Sequence, residues 1–192
     1  MTEKVSILFR GKMVMEFRGK RKQETKIIYP EKCRGRSMRR NDREIRDFTE
    51  IVEVIKKCDV CRIALHDAGY PYMIPLNFGM KTEGEQITLY FHGAGEGKKL
   101  ELIRQDNRAS FEMDCCHELI VDKEGCRCTM GYESVVGRGR MEIVEGEEKQ
   151  EALRALMRQY HEGEFPFRQE VAERTTVMKL TVEEVTGKRH RK

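Results

Sequence analysis

Between Ile87 and Ile103 the chain reads ITLYFHGAGEGKKLELI, an alternating apolar strand that runs through three glycines and two lysines into an amphipathic helix. A strand ending in glycines lets backbone approach a ligand closely, and a helix start presents unpaired N–H groups at the positive end of its dipole. Lys98 and Lys99 add charge at the same place. Two readings stand on these residues alone: a site for an anionic cofactor, or a strand-to-helix turn whose lysines face water. The pattern is neither GxxxxGK[ST] nor a GxGxxG opening a βαβ unit, so neither a P-loop nor a dinucleotide fingerprint is supported.

The elements around this junction follow from apolar spacing. From Asp42 to Lys57, Ile45, Phe48, Ile51, Val52 and Ile55 recur at three- and four-residue intervals, which predicts a helix with Asn41 or Asp42 as its cap. Strand signals follow at 60–66, at YPYMIPLNFGM (70–80) and at ITLYFHG (87–93), which together read as a meander. A helix is expected from Lys98 to about Gln105, a strand from Arg108 to Asp114 and a polar turn over 119–125. CTMGYESVVGRGRMEIV is a long strand whose Gly137 and Gly139 invite a bulge, the usual device for curving a sheet into a barrel. A helix over Glu147–Tyr160, a helical turn around Pro166–Glu173 and a last strand, TTVMKLTV (175–182), complete the reading. About six strands, mostly sequential and antiparallel, with a few helices describe an α+β chain, mainly β, built as a closed or nearly closed barrel.

Charge divides the chain. Residues 1–37 hold eleven Lys and Arg against four Glu, a net +7, so a total of +4 leaves −3 for the rest. We therefore expect a basic N-terminal extension at 1–37, its runs VSILF and MVMEF forming a marginal hairpin or staying poorly ordered, a main domain at 38–187 and a basic tail at 188–192. Basic residues concentrated at the ends, and not along one face of the core, argue against nucleic acid as a partner. No apolar run reaches the 18 residues of a membrane helix and the N-terminus lacks a secretory centre, so neither a membrane nor export is expected and the cytoplasm is the default.

Seven cysteines without an export signal read as reduced thiols. Cys58-x-x-Cys61 with Cys126-x-Cys128 and His117 suggests zinc on paper. However, Cys58 ends a helix while Cys61 enters a strand, so the pair is no zinc knuckle, and no metal is expected. His92 ends an apolar strand directly before the glycines, either beside a ligand or as a buried structural histidine. His66, His117 and His161 lie at turns or element ends. With no HExxH, GxSxG or Ser-His-Asp order, hydrolase mechanisms have no residues to rest on.

Four pieces carry a resemblance that spans about residues 38–188: MRRNDREI, GYPYMIPLNFGM, LYFHGAGEGKKLELI with NRASFEM, and YESVVGRGRMEIV leading into LRALMRQY. Their order and spacing resemble the flavin-binding split-barrel family of pyridoxamine 5′-phosphate oxidase, in particular its nitroimidazole-resistance (Nim) reductase branch. The resemblance implies a six-stranded antiparallel split barrel and a homodimer holding FMN between its subunits. The backbone of Pro75, Leu76 and Asn77 would face the flavin, Phe91 and His92 would line it, Lys98 and Lys99 would take the phosphate, and Ser134 and Val135 would reach it from the long strand. His92 is the implied catalytic candidate. Where the oxidase has Arg-Lys this chain has Lys-Lys, which keeps charge but loses a bidentate fork. The oxidase's C-terminal arginine and tryptophan have no counterpart, and the chain has no Trp at all.

An FMN-dependent oxidoreductase is thus expected, passing electrons from a donor such as reduced nicotinamide to a small planar acceptor, a nitro-aromatic or quinone. A non-catalytic split-barrel module for flavin or haem is the alternative, because fold does not fix function.

Overall fold

In the computed structural model, the described residues are 40–122, 125, 127–163 and 165–191. The expected hairpin in residues 1–37 lies outside them. A 3-10 turn, Asn41–Arg43, leads into β1 (Glu44–Ile45) and α1 (Phe48–Lys57). β2 (Cys61–Leu65), β3 (Tyr72–Leu76), β4 (Phe78–Glu83) and β5 (Gln86–Gly93) follow, then α2 (Lys98–Gln105). Two long strands, β6 (Arg108–Asp122) and β7 (Arg127–Val144), precede α3 (Gly146–Tyr160), α4 (Gln169–Arg174) and β8 (Thr176–His190).

Hydrogen bonds order the antiparallel sheet β3-β2-β6-β7-β8-β5-β4, with β1 added beside β8. Its two end strands are consecutive in the chain: β3 stops at Leu76, β4 starts at Phe78, and Asn77 alone joins them. Seven strands laid flat would separate those ends by about 29 Å, whereas one linking residue spans about 7 Å. The sheet must therefore curl until its ends meet, leaving a seam where β3 and β4 run end to end and not side by side. A single strand over 70–80 and a simple meander are thereby corrected. The run looked continuous because both halves are apolar, but it changes neighbours at Asn77.

Three further expectations are corrected. The first helix begins at Phe48 and not at Asp42, because Ile45 pairs with Gly187 of β8 and the Asp47 side chain accepts a bond from the Glu50 N–H, capping the helix. Residues 119–122 are strand and not turn, since Leu119–Asp122 pair with Arg127–Met130 in a projecting hairpin. β8 continues past 182 through Lys188–His190, the residues read as the start of a basic tail. The strands number eight among the described residues, against about six expected. The bulge anticipated at Gly137–Gly139 is present, as a register shift between Arg138 and Gly139.

Inside the barrel, Ile63, Leu65, Phe78, Leu89, Phe91, Phe111, Met113 and Val135 form the core together with Ile51, Val52, Val54 and Ile55 of α1 and Leu100, Leu102 and Ile103 of α2. Each fully buried aliphatic side chain of this kind contributes up to about 1.5–3 kcal/mol. β5 is buried on both faces, for Tyr90 turns outward into a second cluster with Ala152, Leu153, Ala155 and Leu156 of α3. Its continuous apolar run has that cause. No helix among the described residues is long and apolar enough to cross a membrane.

Candidate functional site

The segment 93–99 turns as its glycines require. Gly97 has φ 123°, a conformation that L side chains rarely adopt, and it caps α2 without a side-chain bond, its carbonyl accepting from Leu100 N–H at 2.9 Å. The first N–H groups of α2 have no side-chain cap, at the positive end of the helix.

The two lysines differ. Lys98 is exposed and tethered: its Nζ lies 2.5 Å from Asp67 Oδ2 and 5.2 Å from the centre of the Tyr72 ring. The Lys98 ammonium in turn holds the Asp67 carboxyl below its ordinary value. Lys99 is half-buried and its side chain folds over Gly93, where an added Cβ would stand only 2.3 Å from Nζ. Lys99 has no ion-pair partner among the described residues. A half-buried lysine with its charge unpaired among the described residues, beside the start of α2, fits a phosphate.

The other predicted residues surround the seam. Phe78 faces Phe91 across β4 and β5, so Asn77, the link just before β4, and His92, next in β5, flank the same pair. His92 is exposed with its side chain outward, while Phe91 is fully buried in the core and its backbone lies between β4 and β8, opposite Phe78 and Met178, so the structure does not present it to a ligand. Pro75 is exposed on β3, an end strand whose second edge carries no sheet partner among the described residues, and a residue without an N–H is tolerated there. Leu76 is half-buried. The Asn77 side chain is committed, donating to the Asp59 carbonyl at 3.2 Å.

Ser134 and Val135 stand apart from these. β7 is three strand steps from β3 through β2 and β6, about 14 Å at ordinary strand spacing. Ser134 is half-buried opposite Asp114, and Val135 is fully buried in the core. One chain thus places Lys98 beside Tyr72, Lys99 over Gly93 and Asn77 beside His92, but leaves Ser134 and Val135 farther round the barrel. Clefts of about 450, 500 and 780 Å³ occur on the surface, and none is lined by the predicted residues.

Sequence reasoning missed several positioning residues. Tyr160 of α3 locks the seam, its OH donating to the Asp59 carbonyl at 2.7 Å and accepting from the Phe78 N–H at 3.0 Å. Arg62 bonds Glu112 at 3.1 Å and Asp114 at 2.5 Å on the outer face of β2 and β6. Glu133, beside Ser134, is fully buried and bonded to Lys57, Arg189 and Arg191. Burial pushes its carboxyl up, but the bonds from Lys57 and Arg189 outweigh that and hold it below its ordinary value. One signal pointed to it: by strand alternation Glu133 shares the inward face of β7 with Val135.

Comparison with known proteins places this geometry in a family. A family model described as pyridoxamine 5′-phosphate oxidase matches residues 47–189. A candidate 5-nitroimidazole antibiotic resistance protein from Bacteroides thetaiotaomicron is 33% identical, with a TM-score of 0.67 over 76% of this chain and 85% of that one. The flavocytochrome Anf3 from Azotobacter vinelandii (20% identity, TM-score 0.67, 83% and 74% covered) shares the fold. So does the FAD and heme binding protein from Mycobacterium smegmatis (16%, 0.68, 78% and 74%). Comparison with curated protein sequences returns no match. From β1's neighbour α1 through the last strand, then, the split barrel and its sequence are those of the pyridoxamine 5′-phosphate oxidase family, to which this chain belongs.

Proposed function

We propose that the chain binds FMN between two copies of itself and works as an oxidoreductase on a small planar acceptor, a nitro-aromatic or quinone. The observation that carries the cofactor is Lys99, a half-buried lysine whose side chain folds over Gly93 at the start of α2 and which has no ion-pair partner among the described residues. The resistance protein at 33% identity supports the acceptor class.

FMN, when bound, supplies the electron transfer that no side-chain constellation here provides. The chain's residues bind and orient. Lys99 and the first N–H groups of α2 take the phosphate, with Lys98 held beside them by Asp67 and Tyr72. The edge of β3 at Pro75–Asn77, which has no sheet partner among the described residues, offers backbone groups to the ring, and Phe91, enclosed between β4 and β8, serves the core. His92, exposed beside the seam, hydrogen-bonds the acceptor. Ser134, with the backbone of Val135, reaches the ring from the second copy, which also supplies the wall that one barrel lacks. The outer sheet suits such a dimer: Pro75, Arg62, Glu112 and Val136 share one register row, and Met73 and Val136, 63% and 49% exposed, flank the Arg62 ion pairs.

Anaerobic mixing of FMN-loaded protein with reduced nicotinamide, then with a nitro-aromatic, tests the reading. We expect bleaching of the flavin band and its return as the acceptor is consumed. Bound flavin that neither reduced nicotinamide nor dithionite makes competent to reduce the acceptor would instead identify a binding module.

A further inference from the structure

Neighbouring residues in a strand point to opposite faces, so the thiols of Cys115 and Cys116 would ordinarily diverge. Here they converge. The β6 register shifts between Cys115 and Glu118, and Cys116 adopts φ 58°, among the described residues the one non-glycine with positive φ. This turn brings Cys115 Sγ and Cys116 Sγ together with a carboxylate oxygen of Glu133, the residue directly opposite Cys115 in β7, and all three atoms lie within 4.8 Å of one another. Cys58, at the C-cap of α1, interacts with the Cys115 thiol. Left-handed backbone at a β-bulge, in a residue that disfavours it, is costly and marks a position the surrounding structure over-determines.

We propose that Cys115, Cys116 and Glu133 form a site for a thiophilic d10 cation of the Zn²⁺ class, with Cys58 or a water in the fourth position. The donor set selects the ion. Ca²⁺ and Mg²⁺ take six or more oxygens, and this site offers one carboxylate beside two thiols. Two thiolates and a carboxylate around a dication leave a charge of −1, which the cations bonded to Glu133, namely Lys57 and Arg189 at 2.9 Å each and Arg191, more than offset, Arg189 being shared with Glu50. Tetrahedral coordination with bonds of about 2.3 Å sets sulfur atoms about 3.8 Å apart, so the two thiols need to close by at most about 1 Å on binding. Cys116, exposed on its bulge, provides both that movement and the entry path. Neither the flavin nor Lys99 takes part, so this inference stands apart from the proposed function.

The test uses the full chain with Cys33, Cys126 and Cys128 replaced by Ser, reduced with a non-chelating phosphine and titrated with Cd²⁺. We expect a sulfur-to-cadmium charge-transfer band that saturates at one equivalent and is displaced by Zn²⁺. Cys116→Ala in the same background, with folding checked by circular dichroism, should lose at least tenfold in affinity and weaken the band. No band in the reduced protein, a band undiminished in Cys116→Ala, or a Cys115–Cys116 disulfide that persists under the reductant would each overturn the assignment.

Discussion

At the residue scale, two side chains of one sequence motif have different duties. Lys98 is spent on Asp67 and Tyr72, whereas Lys99 folds over Gly93 with no ion-pair partner among the described residues, the arrangement proposed to take the phosphate. Lys99→Ala should therefore weaken FMN at least tenfold while leaving riboflavin, which lacks the phosphate, within about twofold. Lys98→Ala should cost FMN less. Equal losses of FMN and riboflavin on titration would remove Lys99 from the phosphate site. Tyr160 makes the opposite kind of contribution, to the fold and not to a ligand. Tyr160→Phe removes one donor from the Asp59 carbonyl and one acceptor from the Phe78 N–H, a loss of about 1–2 kcal/mol read from urea unfolding, with the m-value unchanged.

At the element scale, closure of the barrel rests on how closely α3 approaches β4. A Cβ built on Gly79 would sit 2.3 Å from Leu156 N and 2.4 Å from the Ala155 carbonyl carbon, helix backbone that cannot swing aside. Gly79→Ala must push α3 off the sheet, and we expect a loss of about 1–3 kcal/mol and a lower Tm, measurable by calorimetry. Elements with one unbroken period were legible in the sequence, as α2 and β5 show. What escaped was any feature fixed by a distant partner. Asn77 breaks an apolar run because β4 pairs with β5 and β3 with β2, and Ile45 leaves the helical stripe because β8 takes it. The site divides in the same way. Lys98, Lys99 and His92 could be nominated from their own motif, but the tether of Lys98 to Asp67 and the inward turn of Phe91 depend on strands that only the closed sheet brings together.

At the scale of the whole molecule, the buried charge of Glu133 links β7, α1 and the end of β8 through Lys57 and Arg189, and so couples stability to pH. Its folded-state value lies below the ordinary 4.5, so the pairs contribute fully above that value and are lost as pH falls through the depressed one. Lys57 and Arg189 are part-exposed, which screens the pairs, and Glu133→Gln should cost about 2 kcal/mol at pH 7. The gap to the parent should shrink as Tm is followed from pH 7 down through the depressed value; a gap independent of pH would place the effect in packing. The larger claim concerns assembly, because the predicted residues divide round one barrel and, in the proposed dimer, meet across two. Titration of the purified chain with FMN, followed by absorbance and by sedimentation, tests it most directly. The account predicts a shifted flavin band that saturates at one FMN per chain on a species of twice the chain mass, and absence of bound flavin, or tight saturation on a monomer, would contradict it.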